Sequence, residues 1–394
     1  MTTTDVRLRV FPNYNQVRAK VSQRVWGIAR LLTVVAALEL CIVLVVLPRV
    51  GLFLFWDLFV PLLPLLLLVA PGLWRNICPI AAMNQTPRLL RLTKARPVPG
   101  WVQRHGTLIG TGLFVAIIAT RKVLFDTSGP ALAGLLGTVF ALALIGGARV
   151  KGKGGWCTTL CPMVPVERLY GQTPLVSVRN SHCESCVGCA KHCLDFNPQT
   201  AYLSEQYSAD RVHALRRRLF AGAFPGLTLW FFLVPAPPEI SLLRSFGLLG
   251  LAMMASAGSF FTLDAVLGVR RLGILPALYG ALTLNLYYFF AAPAFFTRLG
   301  ILTATPARAV QLTALLLSAI WLIKTVCKEQ RYVASQAPSR RRSLPLLAAP
   351  TESPRQGPRG YAPAPPRPRP RSHPQGPGGL LPASLGAPSE TRNA

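Results

Sequence analysis

GLFLFWDLFVPLLPLLLLVAPGLWRNICP, residues 51 to 79, decides the fold. Between Gly51 and Trp74 the run carries one charged side chain, Asp57, and is long enough to cross a hydrocarbon core of about 30 Å as a helix. Pro61, Pro64 and Pro71 predict that this helix is bent or broken. Cys78 and Pro79 follow where the apolar run gives way to polar sequence.

Seven further runs of similar character bring the expected total to about eight transmembrane helices, over 28–47, 51–74, 106–125, 130–148, 219–235, 245–268, 273–296 and 307–326. Pro225 and Gly226 interrupt the fifth of them. Helices are required because lipid offers no partner to an unpaired backbone group, and the turn chemistry of a closed barrel is absent. The whole chain agrees. Of 394 residues 51% are hydrophobic and 14% charged, well below the quarter or so that soluble domains carry.

The net charge of +28 invites a nucleic-acid reading, which the placement of the charges excludes. Of the 42 lysines and arginines, six fall on one side of the predicted membrane: Arg49, Arg121, Lys122, Arg244, Arg298 and Arg308. All others lie on the side shared by both termini and the central loop. The positive-inside rule makes that side cytoplasmic, so the reading is a multi-pass protein of the cytoplasmic (inner) membrane. Attraction to anionic lipid accounts for the remaining basic excess. No nucleic-acid partner is expected.

Five regions follow. They are a cytoplasmic N-terminal segment (1–27), a four-helix membrane region (28–148), a cytoplasmic loop (149–218), a second four-helix membrane region (219–326) and a basic tail (327–394). The tail contains APAPPRPRPR from Ala362 to Arg371 and has no helical or strand period, which predicts disorder with polyproline character.

Chemistry concentrates in the cysteines. SHCESCVGCAKHC holds Cys183, Cys186, Cys189 and Cys193 at the spacing C-x2-C-x2-C-x3-C, the bacterial ferredoxin run for a [4Fe–4S] cluster. Two-residue gaps aim successive thiolates at neighbouring corners of a cuboidal cluster. A disulfide framework does not suit a reducing compartment, and structural zinc favours two separated C-x2-4-C pairs. His182 and His192 flank these cysteines as solvated loop residues or as hydrogen-bond donors to the cluster. Upstream, GWCTTLCPMVP carries Cys157, Cys161 and Pro162 where the fourth run ends, as Cys78 and Pro79 stand where the second ends. Both segments close on Gln-Thr-Pro, at Gln85 to Pro87 and Gln172 to Pro174, a weak internal repeat.

Paired hairpins, C-x3-C-P at helix exits and a following ferredoxin run resemble the membrane-bound polyferredoxins of periplasmic nitrate reduction, nitrous oxide reduction and cytochrome oxidase assembly. The resemblance covers roughly residues 51 to 198. Cys157 and Cys161 match that family's C-x3-C-P, Cys78 its second cysteine, and Cys183, Cys186, Cys189 and Cys193 its ferredoxin run. Trp74 stands where the first upstream cysteine would be, one ferredoxin run is present instead of two, and Leu194 replaces the proline after Cys193. The resemblance implies an electron-transfer membrane component linked to a quinone pool or a cytoplasmic donor.

Two ligand sets fit one or two [4Fe–4S] clusters. In one, the four cysteines of the run hold a cluster and Cys78, Cys157 and Cys161 supply three ligands of a second site. In the other, Cys183, Cys186 and Cys189 join a remote Cys-Pro while Cys193 serves the other cluster. Seven cysteines are one short of eight, and Cys327 is on the correct side to complete the set. Cys41 lies within the first run. Three acids also sit in apolar runs: Glu39 and Asp57, as proton acceptors for a quinol or as structural groups, and Asp264, as a partner for Arg270 or Arg271.

The expected function is therefore single-electron transfer among quinone, redox partner proteins and clusters within the lipid bilayer, as a subunit of an oxidoreductase system. A transporter or membrane sensor with a regulatory cluster, and a redox assembly factor for another complex, are the alternatives. No nucleophile, phosphate loop or catalytic acid pair suggests a hydrolase or transferase.

Overall fold

The computed structural model describes residues 21–178, 181, 211–267 and 273–336. The helical reading holds. The described residues form helices and connecting turns, with one isolated bridge between Arg96 and Val150.

Helix α1 (Gln23–Val46) starts at Ser22, whose hydroxyl accepts from the Val25 N–H. The second rod comprises α2 (Pro48–Leu52), a π-helical turn (Phe53–Phe59) and α3 (Val60–Val69), then breaks at Ala70 before α4 (Pro71–Ile77). The break falls where Pro71 forbids continuation, as the prolines predicted. Helix α5 (Pro79–Leu89) follows directly after Cys78, and α6 (Gly100–Thr120) runs on through a π-helical turn (Arg121–Phe125). Helix α7 (Gly129–Arg149) leads into a 3-10 turn (Gly152–Gly155) and α8 (Val164–Tyr170). The remaining helices are α9 (Arg211–Leu233), α10 (Leu242–Leu267), α11 (Ile274–Arg298) and α12 (Ala304–Gln336).

Among the described residues, seven helices are long and apolar enough to cross a membrane: Gln23–Val46, Pro48–Val69, Gly100–Phe125, Gly129–Arg149, Leu242–Leu267, Ile274–Arg298 and Ala304–Arg331. The eighth expected run, 219–235, forms α9 but is not among them. Arg216, Arg217 and Arg218 leave it an apolar length of roughly 22 Å, short of the hydrocarbon core. Pro225 does not break α9. The Ser256 hydroxyl of α10 donates to the Gly222 carbonyl at 2.6 Å, a side-chain bond to the backbone one turn before the proline. Around it Phe220, Ala221, Leu227 and Trp230 are buried.

Residues 152–178 pack against the bundle although the sequence reads them as the start of a loop. Helix α8 is buried along Val164, Val166, Leu169 and Tyr170, and the last three share one core with Leu67, Trp74, Phe220, Leu284 and Trp321. The Tyr170 hydroxyl donates to the Gly280 carbonyl, and the Trp321 indole donates to the Tyr170 carbonyl, each at 3.0 Å. Helix α12 also runs ten residues past the expected boundary at 326. Lys324 and Lys328 donate to the carbonyls of Pro174 and Gln172, and Glu329 accepts from the Gly273 N–H, so the polar end of α12 has partners. The rest of the expected tail lies outside the described residues.

Candidate functional site

Both Cys-Pro motifs adopt the same local geometry. The Cys78 sulfur is within hydrogen-bonding reach of the backbone N–H groups of Ile80 and Ala81, two and three residues on. The Cys161 sulfur stands likewise to Met163 and Val164. Each thiol therefore receives donors from the first turn of a short helix, α5 or α8, and the proline next to it costs no needed N–H there. The two thiols are also in electrostatic contact with each other and with Glu167, and Cys78 with Lys153. Burial pushes the Cys78 thiol up to about 11, against the N–H groups of Ala81 and Ile80, and pushes Cys161 up to about 12.

The helix that presents Cys78 is held from three directions. Arg75 of α4 pairs with Glu167 of α8, a buried ion pair joining the two halves of the repeat. Arg30 of α1 donates through Nε to the Asn76 carbonyl at 3.1 Å and through a second nitrogen to Ser181 Oγ. Thr33 Oγ1 donates to the Ile77 carbonyl at 2.6 Å. Asn76 Oδ1, wholly buried, accepts from both the N–H and the hydroxyl of Ser181. Burial pulls the neighbouring Arg168 guanidinium down to about 10, with Glu167 opposing.

The same two motifs floor a cavity of about 450 Å³. Pro79 and Ile80 line it beside Pro162 and Met163, and its walls are aromatic: Phe55, Phe59, Trp74, Phe114, Phe224 and Phe232. At the far end of α6 it meets Arg121, whose guanidinium lies 3.9 Å from the Trp56 ring centroid and bonds Asp126 at 2.6 Å. Thr33, Thr228 and Thr283 spend their hydroxyls on backbone carbonyls. The Tyr287 hydroxyl has no hydrogen-bond partner among the described residues.

The structure thus brings Cys78 and Cys161 together. Cys157 is half-buried, while Cys327 is exposed on α12 and Cys41 is partly buried in α1. Among the described residues no three His, Cys, Asp or Glu side chains gather as a group able to hold a metal. Cys183, Cys186, Cys189 and Cys193, with His182 and His192, lie outside the described residues. Asp264 pairs with Arg218, whereas the expected partners Arg270 and Arg271 are not described. Asp57 pairs with Arg298, and Glu39 is exposed on α1.

Sequence reasoning missed Arg30, Asn76, Ser181 and the Arg75–Glu167 pair. The one available signal was their nearness to cysteines, because partners 46 to 151 positions apart leave no local pattern. Comparison with protein-family models, curated proteins and solved structures finds no match.

Proposed function

We propose that this chain is a membrane-anchored iron–sulfur electron-transfer protein, passing single electrons between a quinone pool or cytoplasmic donor and a partner redox enzyme. The observation that carries the reading is the pairing of Cys78 with Cys161, each thiol placed at a helix start. That donor set fits a [4Fe–4S] cluster. Thiolates are its ligands, backbone N–H groups stabilise charge on sulfur, and Lys153 offsets the negative charge of a thiolate cluster. Ser181 supports the supply of further ligands, since the two residues from it to Cys183 reach roughly 7 Å at most.

A bound cluster supplies a one-electron carrier at this end of the bundle. Cys78 and Cys161, with thiols from the run Cys183, Cys186, Cys189 and Cys193 and from Cys157, would hold it. The chain's own residues do the rest. Arg75 and Glu167 fix α4 against α8, so that the two cysteine turns cannot drift apart. The aromatic cavity behind them offers a water-poor volume for a quinone, with the free Tyr287 hydroxyl to donate to a quinone oxygen. The excess of Lys and Arg near the cysteine motifs supports a cytoplasmic placement of this end.

The transporter reading has less support. Asp57 and Asp264, the acids that a solute pathway would use, are committed to Arg298 and Arg218. The deciding experiment is iron and acid-labile sulfide per chain on anaerobically purified protein, with EPR through a reductive titration. About eight irons mean two clusters and about four mean one. Zinc without iron, or no metal, would sink the electron-transfer reading.

A further inference from the structure

Glu39 sits where membrane physics calls for a partner. It is exposed on α1, seven residues from the helix end at Val46, about 10 Å along the axis. A glutamate is too short to carry its carboxyl that distance to water, as a lysine or arginine would. Ionisable groups at such depth normally face a bundle interior or one another. Glu39 makes no hydrogen bond or ion pair with the described residues. The other two acids in apolar helices both have arginine partners.

The surroundings of Glu39 are ordered as a seam. Ile28, Leu32, Val35, Ile42 and Val46 are all exposed, with Ile28 at 60% and Ile42 at 61%. With Glu39 they fall at alternating intervals of four and three, which places them on one stripe of the helix. Only Trp26 and Leu44 of α1 are buried, so this helix rests on the bundle along its other side. A stripe of that spacing with a single polar group near its middle is how packed helices fix register.

We propose that this stripe docks a transmembrane helix of another polypeptide, one carrying a Lys, Arg, Asn or Gln side chain level with Glu39. Charge complementarity selects that occupant. A second copy seated on the same stripe by twofold symmetry would set carboxylate against carboxylate. Lipid tails offer no donor at all. The apolar positions provide packing, and Glu39 sets partner and depth. The docking face is independent of what the cysteines bind.

The test uses the full-length protein in its native membranes, with the photo-crosslinker benzoylphenylalanine at Val35 or Ile42. Leu316, exposed on α12, is the control position. The expected result is one discrete polypeptide adduct from Val35 and Ile42 and none from Leu316. Mass spectrometry should identify a chain with a transmembrane segment bearing a basic or amide side chain. Glu39→Leu should lower the adduct yield about tenfold, the scale of one interhelical hydrogen bond, while Glu39→Gln keeps most of it. Lipid adducts alone, an adduct of twice the chain's own mass, a captured chain without such a side chain, or a yield indifferent to Glu39→Leu would each overturn the proposal.

Discussion

The Asn76 side chain accepts both the N–H and the hydroxyl of Ser181 through one oxygen, each at 2.8 Å, although 105 positions separate the two residues. Asn76 lies two residues before Cys78 and Ser181 two before Cys183. The chain arrives there in register with the helix it follows. Val176 N–H donates to Val69 O at 2.7 Å, and Val178 O crowds Gly72, where an added Cβ would sit at 2.6 Å. The contacts on the helical side fall at 69, 72 and 76, the first just before the break at Ala70 and the other two on α4. Asn76→Leu strands two buried donors and should cost about 1–3 kcal/mol, whereas Asn76→Asp keeps the acceptor. The thermal midpoint and iron content should fall in the first variant and largely survive in the second. Equal behaviour of the two would remove any role for the acceptor.

Alkali should expose the paired thiols. Burial favours their neutral form, so in metal-free protein their contribution to stability is complete below the ordinary thiol value of about 8.5. It is lost as pH rises through about 11 for Cys78 and about 12 for Cys161. Mass-resolved alkylation at pH 8 should label both far more slowly than the exposed Cys327, and the gap should close with rising pH. Equal labelling at pH 8 would contradict the buried pairing.

Gly147 has no room for a side chain. A Cβ there would stand 1.8 Å from the Asn84 carbonyl oxygen, where α5 crosses α7, and the Asn84 amide donates to Ala143 O at 2.9 Å in the same contact. Gly147→Ala should destabilise by about 1–3 kcal/mol or more, seen as a lower midpoint in detergent. Gly134→Ala in the same helix, with open space around it, should be neutral or nearly so.

Filling the cavity separates quinone chemistry from cluster assembly. Leu136 lines the cavity and packs against the cluster of Leu44, Trp56 and Leu132. Leu136→Trp should slow reduction or oxidation by added quinol or quinone at least tenfold while leaving iron per chain unchanged. Tyr287→Phe, which removes only the free hydroxyl, should have a smaller effect in the same direction. Full quinone turnover in both variants would place the quinone elsewhere.

Arg121 tests the far end of the bundle. Its guanidinium is stacked between the rings of Trp56 and Phe231 and paired with Asp126. Arg121→Leu leaves that carboxylate without its cation and should cost a few kcal/mol. The double change Arg121→Leu with Asp126→Leu should recover part of the loss, a comparison that a thermal denaturation series in detergent can read.

Much of this architecture was legible in one dimension. Apolar length, helix-breaking prolines and the absence of turn chemistry suffice for a helical membrane protein, because lipid solvates no free backbone group and the period of a helix is local. The cysteine spacings likewise need only neighbouring residues. Tertiary structure alone decided the remainder. It shows that α9 is a packed core helix although its apolar length is short, since Ser256 from α10 serves its backbone. It buries α8, which reads as loop, beneath Trp321. It pairs Asp264 with Arg218, a partner distant in sequence. It joins Cys78 to Cys161 through Arg75 and Glu167, 92 positions apart. Hydrogen bonds and ion pairs between remote segments depend on where whole helices cross, and that is set by the sum of packing over the bundle and by no short stretch of sequence.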